Sequence, residues 1–216
     1  MDSSDFFQSL NTKQISQLKS AFNLAENCNY PQKHTLQVAR LSLHLFTELE
    51  SLHKLGDQEK FWLLSAAILH DIGIWSEGGR AHHKTALKII LNAQVIRYND
   101  KERLIIGSIA RYHRKALPSN HHDHFSALSE EEKAKVTTLS AILRVADGLD
   151  ITHSARISDL KCKISKKKIT IICNTDKPKP ELEKQTALEK SDMMEKCFQR
   201  AVIIKFREKL ATKHKK

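Results

Sequence analysis

The stretch Leu63–Gly73, LLSAAILHDIG, decides how this chain is read. An apolar run ends in adjacent His70 and Asp71, and Gly73 follows. Helix formation does not require an imidazole beside a carboxylate there. A metal site does: the pair offers a nitrogen and an oxygen ligand to one cation, or one ligand each to two neighbouring cations. A histidine in a last helical turn also has a plain electrostatic reason, so the pair gains meaning only from the rest of the chain.

Working outward, helical periodicity predicts helices over Ile15–Asn27 and Gln32–Leu52, separated by Asn29-Tyr30-Pro31. The second carries His34, Val38, Leu41, Leu45 and Leu49 at helical spacing, which sets His34 in its first turn on or beside the buried face. A third helix, Gln58–His70, delivers the central motif at its C-terminal end, and Trp75–Gly79 reads as a loop. A fourth begins near His82-His83-Lys84 and continues through Leu87, Ile89, Ile90 and Leu91. A fifth, Asp100–Tyr112, ends at Arg111-Tyr-His-Arg-Lys115. The segment holding Pro118, His121, His122 and His124 reads as a polar surface loop. Ser129 with Glu132 forms a capping sequence for a helix running to about Leu149, which brings Asp147 and Asp150 to its end. Asp147 follows an apolar run, where an unpaired carboxylate is costly; a cation is one partner and Arg144 the other.

Beyond Ser154 the texture changes. Ile157–Ile164 and Ile169–Cys173 predict a hairpin, Lys177-Pro-Lys-Pro180 a rigid linker, Glu181–Arg200 one amphipathic helix, and Ala201–Phe206 a last strand. The expected fold is therefore mainly α: a helical bundle over 1–155, a small C-terminal β-β-α-β appendage over 156–208 that needs the body to complete its core, and a basic tail at 209–216.

Composition sets the outer limits. With 216 residues, 40% hydrophobic and 28% charged, this is an ordinary globular chain. No apolar run approaches a membrane span, and the acidic, polar start is unlike a secretory signal, so a cytoplasmic location with no membrane partner is expected. The four cysteines include no CxxC pair, which argues against a disulfide framework or a cysteine zinc site. A net charge of +11 favours anionic partners. Nucleic acid is disfavoured among them, because no recognition motif is present and aromatics make up 6% of the chain. Trp75, Phe125 and the appendage offer apolar contacts for a homodimer.

His34, His70, Asp71, His83, His113 and Asp147 each fall at or near a helix terminus or turn, and a bundle can gather such ends at one mouth. Imidazole and carboxylate without thiolate suit Mn, Fe, Zn, Co or Ni, or Mg with fewer nitrogens, as one ion or two. Such a centre polarises a phosphoryl oxygen and lowers the pKa of bound water. Arg111, Arg114, Lys115 and Lys84 could then hold phosphate oxygens, arginine as a fork and lysine as a point charge.

The order His34, His70-Asp71, Asp147, with HD-x-G and a distant VAD-x-LD, resembles the HD phosphohydrolase superfamily. More narrowly, YPQKHTLQVARLSLHLF, AAILHDIG, HHKTALKII, IARYHRKALP and LSAILRVADGLDITH are similar to the C-terminal HD region of the exopolyphosphatase/guanosine pentaphosphate phosphohydrolase (Ppx/GppA) family, from about Ala21 onward. The resemblance implies His34, His70, Asp71 and Asp147 as core metal ligands, with Asp71 and His70 at the chemistry. It also implies His83 and His113 as the additional histidines of binuclear members, and RYHRK facing a phosphate substrate. Two departures stand out. The nucleotide-binding-fold domains that carry exopolyphosphatase chemistry in full-length relatives have no counterpart here, so that activity itself is not expected. Where relatives tend to have HHKHS this chain has His82-His83-Lys84-Thr85-Ala86, which leaves His82 or His83 open as the ligand, and Ile151 replaces an arginine that tends to follow LD.

The expected function is a stand-alone metal-dependent phosphohydrolase acting on a small nucleotide-like or polyphosphate substrate. The alternative is a non-catalytic module that keeps the metal and binds polyphosphate or nucleotide for regulation.

Overall fold

The C-terminal half of the central helix is apolar all round, and its neighbours are arranged about it. In the computed structural model, which describes residues 3–76, 79–175 and 180–208, a 3₁₀ turn at Ser3–Phe7 leads into α1 (Thr12–Asn27), α2 (Gln32–Glu48), the short α3 (Glu50–His53) and α4 (Asp57–Leu69). Then come α5 (His82–Asn92), α6 (Asp100–Arg111), the short α7 (Asp123–Ser126) and α8 (Glu130–Gly148). β1 (Ile157–Ile164), β2 (Lys168–Thr175), α9 (Glu181–Glu189), α10 (Asp192–Phe198) and β3 (Ala201–Glu208) complete the described order. Every residue of α4 from Leu63 to Leu69 is buried. That follows from its neighbours: α4 packs on α1, α2, α6 and α8, so no face is left for water.

Helix starts follow their capping sequences. Ser129 Oγ accepts from the Glu132 N–H while Glu132 Oε2 accepts from the Ser129 N–H, and Asn11/Gln14 and Asn99/Glu102 repeat the device on α1 and α6. His34, Val38, Leu41, Leu45 and Leu49 are all buried, as their spacing predicts. The expected helix to Leu52 instead stops at Glu48, and the chain continues as α3. Leu91, part of the apolar pattern of the fourth helix, is exposed, because α5 buries its His82, His83, Ala86, Leu87 and Ile90 side. Phe125 is buried, so it offers no surface to a second copy, whereas Trp75 is 74% exposed. The expected polar loop after Pro118 contains α7.

β1 and β2 pair antiparallel as the predicted hairpin, and β3 joins β2 in parallel, giving the order β1-β2-β3. The parallel pairing requires a crossover, and α9 and α10 supply it. Here the single helix expected over Glu181–Arg200 is corrected: it breaks at Lys190-Ser191, where Ser191 Oγ donates to the Leu188 carbonyl. The break lets α9 and α10 both pack on α8. The sheet meets the helices through α2. Arg40 Nη1 donates to the Ser158 carbonyl at 2.6 Å and Nη2 to the Ile157 carbonyl, while Glu48 Oε2 accepts from the Cys162 N–H at 2.7 Å. One connected apolar core runs through helices and sheet alike. The four cysteines are unpaired. No helix among the described residues is long and apolar enough to cross a membrane. Of the expected linker only Pro180 is described, and the expected tail 209–216 lies outside the described residues.

Candidate metal centre

α2 begins where α4, α6 and α8 end. His34 stands in the first turn of α2; His70-Asp71 follow α4, His113 follows α6, and Asp147 closes α8. Three helix C-termini therefore converge with their negative dipole ends, which favours a cation between them. Gly73 makes room for the fifth element. A Cβ at Gly73 would stand 2.4 Å from the His82 carbonyl and 2.9 Å from the Ala86 nitrogen, so the turn after α4 lies directly against the first turn of α5. That approach brings His82 to the mouth.

The histidine rings share one arrangement. Nδ1 of His70, His82 and His113 each lies 2.7 Å from a carbonyl three residues back, of Ala67, Gly79 and Ala110 respectively. A carbonyl only accepts, so each Nδ1 carries the proton and, in the neutral ring, Nε2 carries a lone pair. His34 Nδ1 donates to Asp150 Oδ2 at 2.9 Å, and Asp150 Oδ1 in turn accepts from the Ala155 N–H at 2.7 Å. Four Nε2 atoms are thus turned inward onto two carboxylates, and the outward partners fix each ring as they do around bound metals.

Asp71 divides its oxygens between two sets. Oδ2 lies 3.4 Å from His70 Nε2 and 3.7 Å from His34 Nε2, while Oδ1 lies 3.2 Å from His82 Nε2 and 3.7 Å from His113 Nε2. Asp147 divides likewise. Oδ1 lies 3.2 Å from His34 Nε2 and 3.9 Å from His70 Nε2, and Oδ2 accepts from Lys190 Nζ. His34, His70 and Asp147 form one group able to hold a metal ion, and Asp71, His82 and His113 another. The donors fit a divalent cation. His70 Nε2 is buried with no hydrogen-bond partner, and His82 and His113 set two Nε2 atoms 3.2 Å apart where neither ring has a proton left to share.

Charge follows the same geometry. Burial opposes protonation of His34, but hydrogen bonds to Asp147 and Asp150 overcome it and raise its pKa to about 10. Burial and the neighbouring His70 push His113 well below its ordinary value. Asp147 is held well below the usual carboxylate range: burial opposes, and Lys190 and His34 prevail.

The mouth encloses about 330 Å³, and Arg114, Lys115, Ile74, Ile151, His153 and Lys190 line it alongside the ligand-type residues. His82, rather than His83, joins the cluster. Burial and the charges of Arg111 and Arg114 lower His83 to about 4, and its Nδ1 is buried without a partner. Of the four cations expected at a phosphate, Arg114 and Lys115 stand on the wall. Lys84 is exposed and Arg111 is buried against the Tyr112 ring, 5.7 Å from its centroid; neither lines the mouth. Arg144, the alternative partner for Asp147, is used elsewhere: it donates to the Tyr112 carbonyl and pairs with Asp192.

A family model described as Ppx/GppA phosphatase, domain III, matches residues 17–197. The chain belongs to that family. No curated protein matches it. The span matched by the Ppx/GppA domain III model takes in every residue of the mouth, from His34 to Lys190.

Three contributors escaped the sequence reading. His153 stacks on His34 with centroids 3.8 Å apart and planes within 6°. It does so from a left-handed backbone (φ 54°), a conformation costly for a non-glycine residue and shared by Lys115 (φ 62°) across the rim. Its only signal was its place in LDITH. Asp150 was visible only as a second carboxylate near a helix end. Lys190 gave no signal, because its role depends on a helix break that periodicity does not encode.

Proposed function

We propose that this chain is an HD-type, metal-dependent phosphohydrolase that cleaves a phosphoester or phosphoanhydride of a small anionic substrate. The observation that carries the reading is the division of Asp71 between two histidine sets, each with Nε2 turned inward. Without a cation the cluster leaves the buried His70 Nε2 unpartnered and sets the His82 and His113 Nε2 atoms against one another, desolvation costs that a bound ion would remove.

His34, His70, Asp71 and Asp147 would hold one divalent ion, and Asp71, His82 and His113 a second. Bound there, Mn, Fe, Zn, Co, Ni or Mg supplies Lewis-acid polarisation of the phosphoryl group and a water molecule acidic enough to attack at neutral pH. The protein does the positioning. Asp150 and the carbonyls of Ala67, Gly79 and Ala110 keep the Nδ1 protons outward. Arg114 and Lys115 take up non-bridging phosphate oxygens at the rim. His153 lies flat on His34 and fixes its plane.

The second reading is a regulatory module that binds metal and phosphate without turnover. Its support is that the matching family model describes one domain of a phosphatase. Metal content of the purified protein, followed by a panel of nucleotides, cyclic dinucleotides, alarmones and polyphosphate, separates the two. Bound metal with release of phosphate or a nucleoside monophosphate is expected. Bound metal with no turnover on any of them selects the module, and no metal after reconstitution removes the hydrolase.

A further inference from the structure

Among the described residues, Lys190 is the one mouth residue contributed from beyond the sheet's first two strands. It caps α9 at the break before α10, where the sequence pattern alone would run one helix through. The break is held against α8 by an unusually close approach: a Cβ on Gly148 would lie 2.7 Å from Ala187 Cα and 2.9 Å from Ala187 N. Arg144 of α8 fixes the far side by pairing with Asp192 at 3.1 Å. Between these anchors the Lys190 side chain reaches Asp147 Oδ2, the oxygen turned away from His34 and His70.

An ammonium has three donors and no acceptor. One of them meets Asp147. The side chain is 17% exposed and lines the same mouth as Arg114 and Lys115. We infer that Lys190 is a substrate-phosphate ligand that the C-terminal layer inserts into the metal mouth, with Asp147 Oδ2 as its anchor. The inference rests on the hydrolase reading for the identity of the phosphate as substrate, but binding of the phosphate group itself does not. It makes the C-terminal layer part of the site. Arg114 and Lys115 approach the mouth from the end of α6, and Lys190 approaches from α9, so a phosphoryl group between them would be gripped from two elements. Asp147, held by Lys190 on one oxygen, would keep the other free for the cation.

The test uses the full chain with Mn²⁺ and inorganic phosphate. Calorimetry measures Mn²⁺ stoichiometry and phosphate affinity for the wild type, Lys190→Gln and Lys190→Arg, with circular dichroism as the check on folding. Losing one charge-assisted hydrogen bond should weaken phosphate binding about tenfold or more in Lys190→Gln, with Mn²⁺ stoichiometry kept and with Lys190→Arg recovering most of the affinity. On any phosphoester the wild type hydrolyses, KM should rise by a similar factor while kcat changes less. Lys190→Gln with tighter Mn²⁺ binding and unchanged phosphate affinity would overturn the inference, making the lysine a mere counter-charge. So would a wild type that binds no phosphate. A wild type that binds phosphate through Lys190 yet turns nothing over would support the inference and sink the hydrolase.

Discussion

His82 and His113 bring their Nε2 atoms within 3.2 Å of each other, with rings stacked at 19°, while both donate Nδ1–H to backbone carbonyls. With both Nδ1–H groups engaged outward, the two Nε2 atoms have no N–H between them unless one ring takes a second proton, and a cation held there makes the contact favourable. The pair therefore favours His82 over its neighbour His83 as the candidate ligand. His82→Ala should lose about half the bound metal of a two-ion site or reduce retention of a single ion, and His83→Ala should keep it. Elemental analysis of both purified variants checks this. The reverse pattern would transfer the role to His83.

Gly73 accounts for the last letter of HD-x-G. An added methyl group meets the His82 carbonyl and the Ala86 nitrogen, both backbone atoms of α5 that no rotamer change can move. Gly73→Ala should cost about 1–3 kcal/mol of stability by overpacking, and it should lower metal retention because α5 carries His82. Urea unfolding and metal content measure the two effects. A stable variant with full metal would mean that α5 is free to shift without disturbing the centre.

What was legible in the sequence divides along physical lines. His34, His70-Asp71, His113 and Asp147 could be read because each stands at or just beyond one end of a periodic apolar helix, and the structure places all of them at or directly beside one mouth. His82 could not be separated from His83. In α5 the series His82-Ala86-Ile90 and His83-Leu87-Ile90 are both buried, so periodicity gives the two histidines equal claims. Lys190 and His153 depend on a helix break and a left-handed turn, which are set by packing on α8 and by local strain rather than by apolar spacing. The β-β-α-β order was readable from alternation and turn residues. The parallel partner of β2 was not, because pairing between segments distant in sequence leaves no local mark.

Arg40 separates stability from metal binding. Its guanidinium is buried, and it joins α2 to the first two residues of β1 through the Ile157 and Ser158 carbonyls, with Gln37 Oε1 accepting from Nε at 3.2 Å. Replacing it leaves the Ser158 carbonyl short of a donor at the junction between helix and sheet. Arg40→Met should cost about 3 kcal/mol, the scale of losing charged hydrogen bonds in a buried setting. Metal content at low temperature should remain at the wild-type level, since no ligand-type residue contacts this guanidinium. Loss of metal in a folded Arg40→Met protein would show that the sheet helps to set the position of His34.

His124 gives the fold an acid sensitivity unrelated to the mouth. Burial lowers its pKa from 6.5 to about 4; the nearby His122 and Arg111 add repulsion and Asp123 opposes them. Its ring packs on Tyr112, and Nε2 is buried without a partner. Because the folded state resists the proton, the unfolded chain binds it first as pH falls. The stability tied to neutral His124 is therefore complete above the unfolded value near 6.5 and is lost progressively as pH drops toward 4. His83 shifts in the same direction, so the wild-type decline exceeds the share of His124 alone. Urea midpoints at about pH 7 and about pH 5 should fall for the wild type and fall less for His124→Gln, by at most about one proton in the linkage slope. Equal declines in the two proteins would mean that the His124 ring takes up its proton in the folded state as readily as in the unfolded chain.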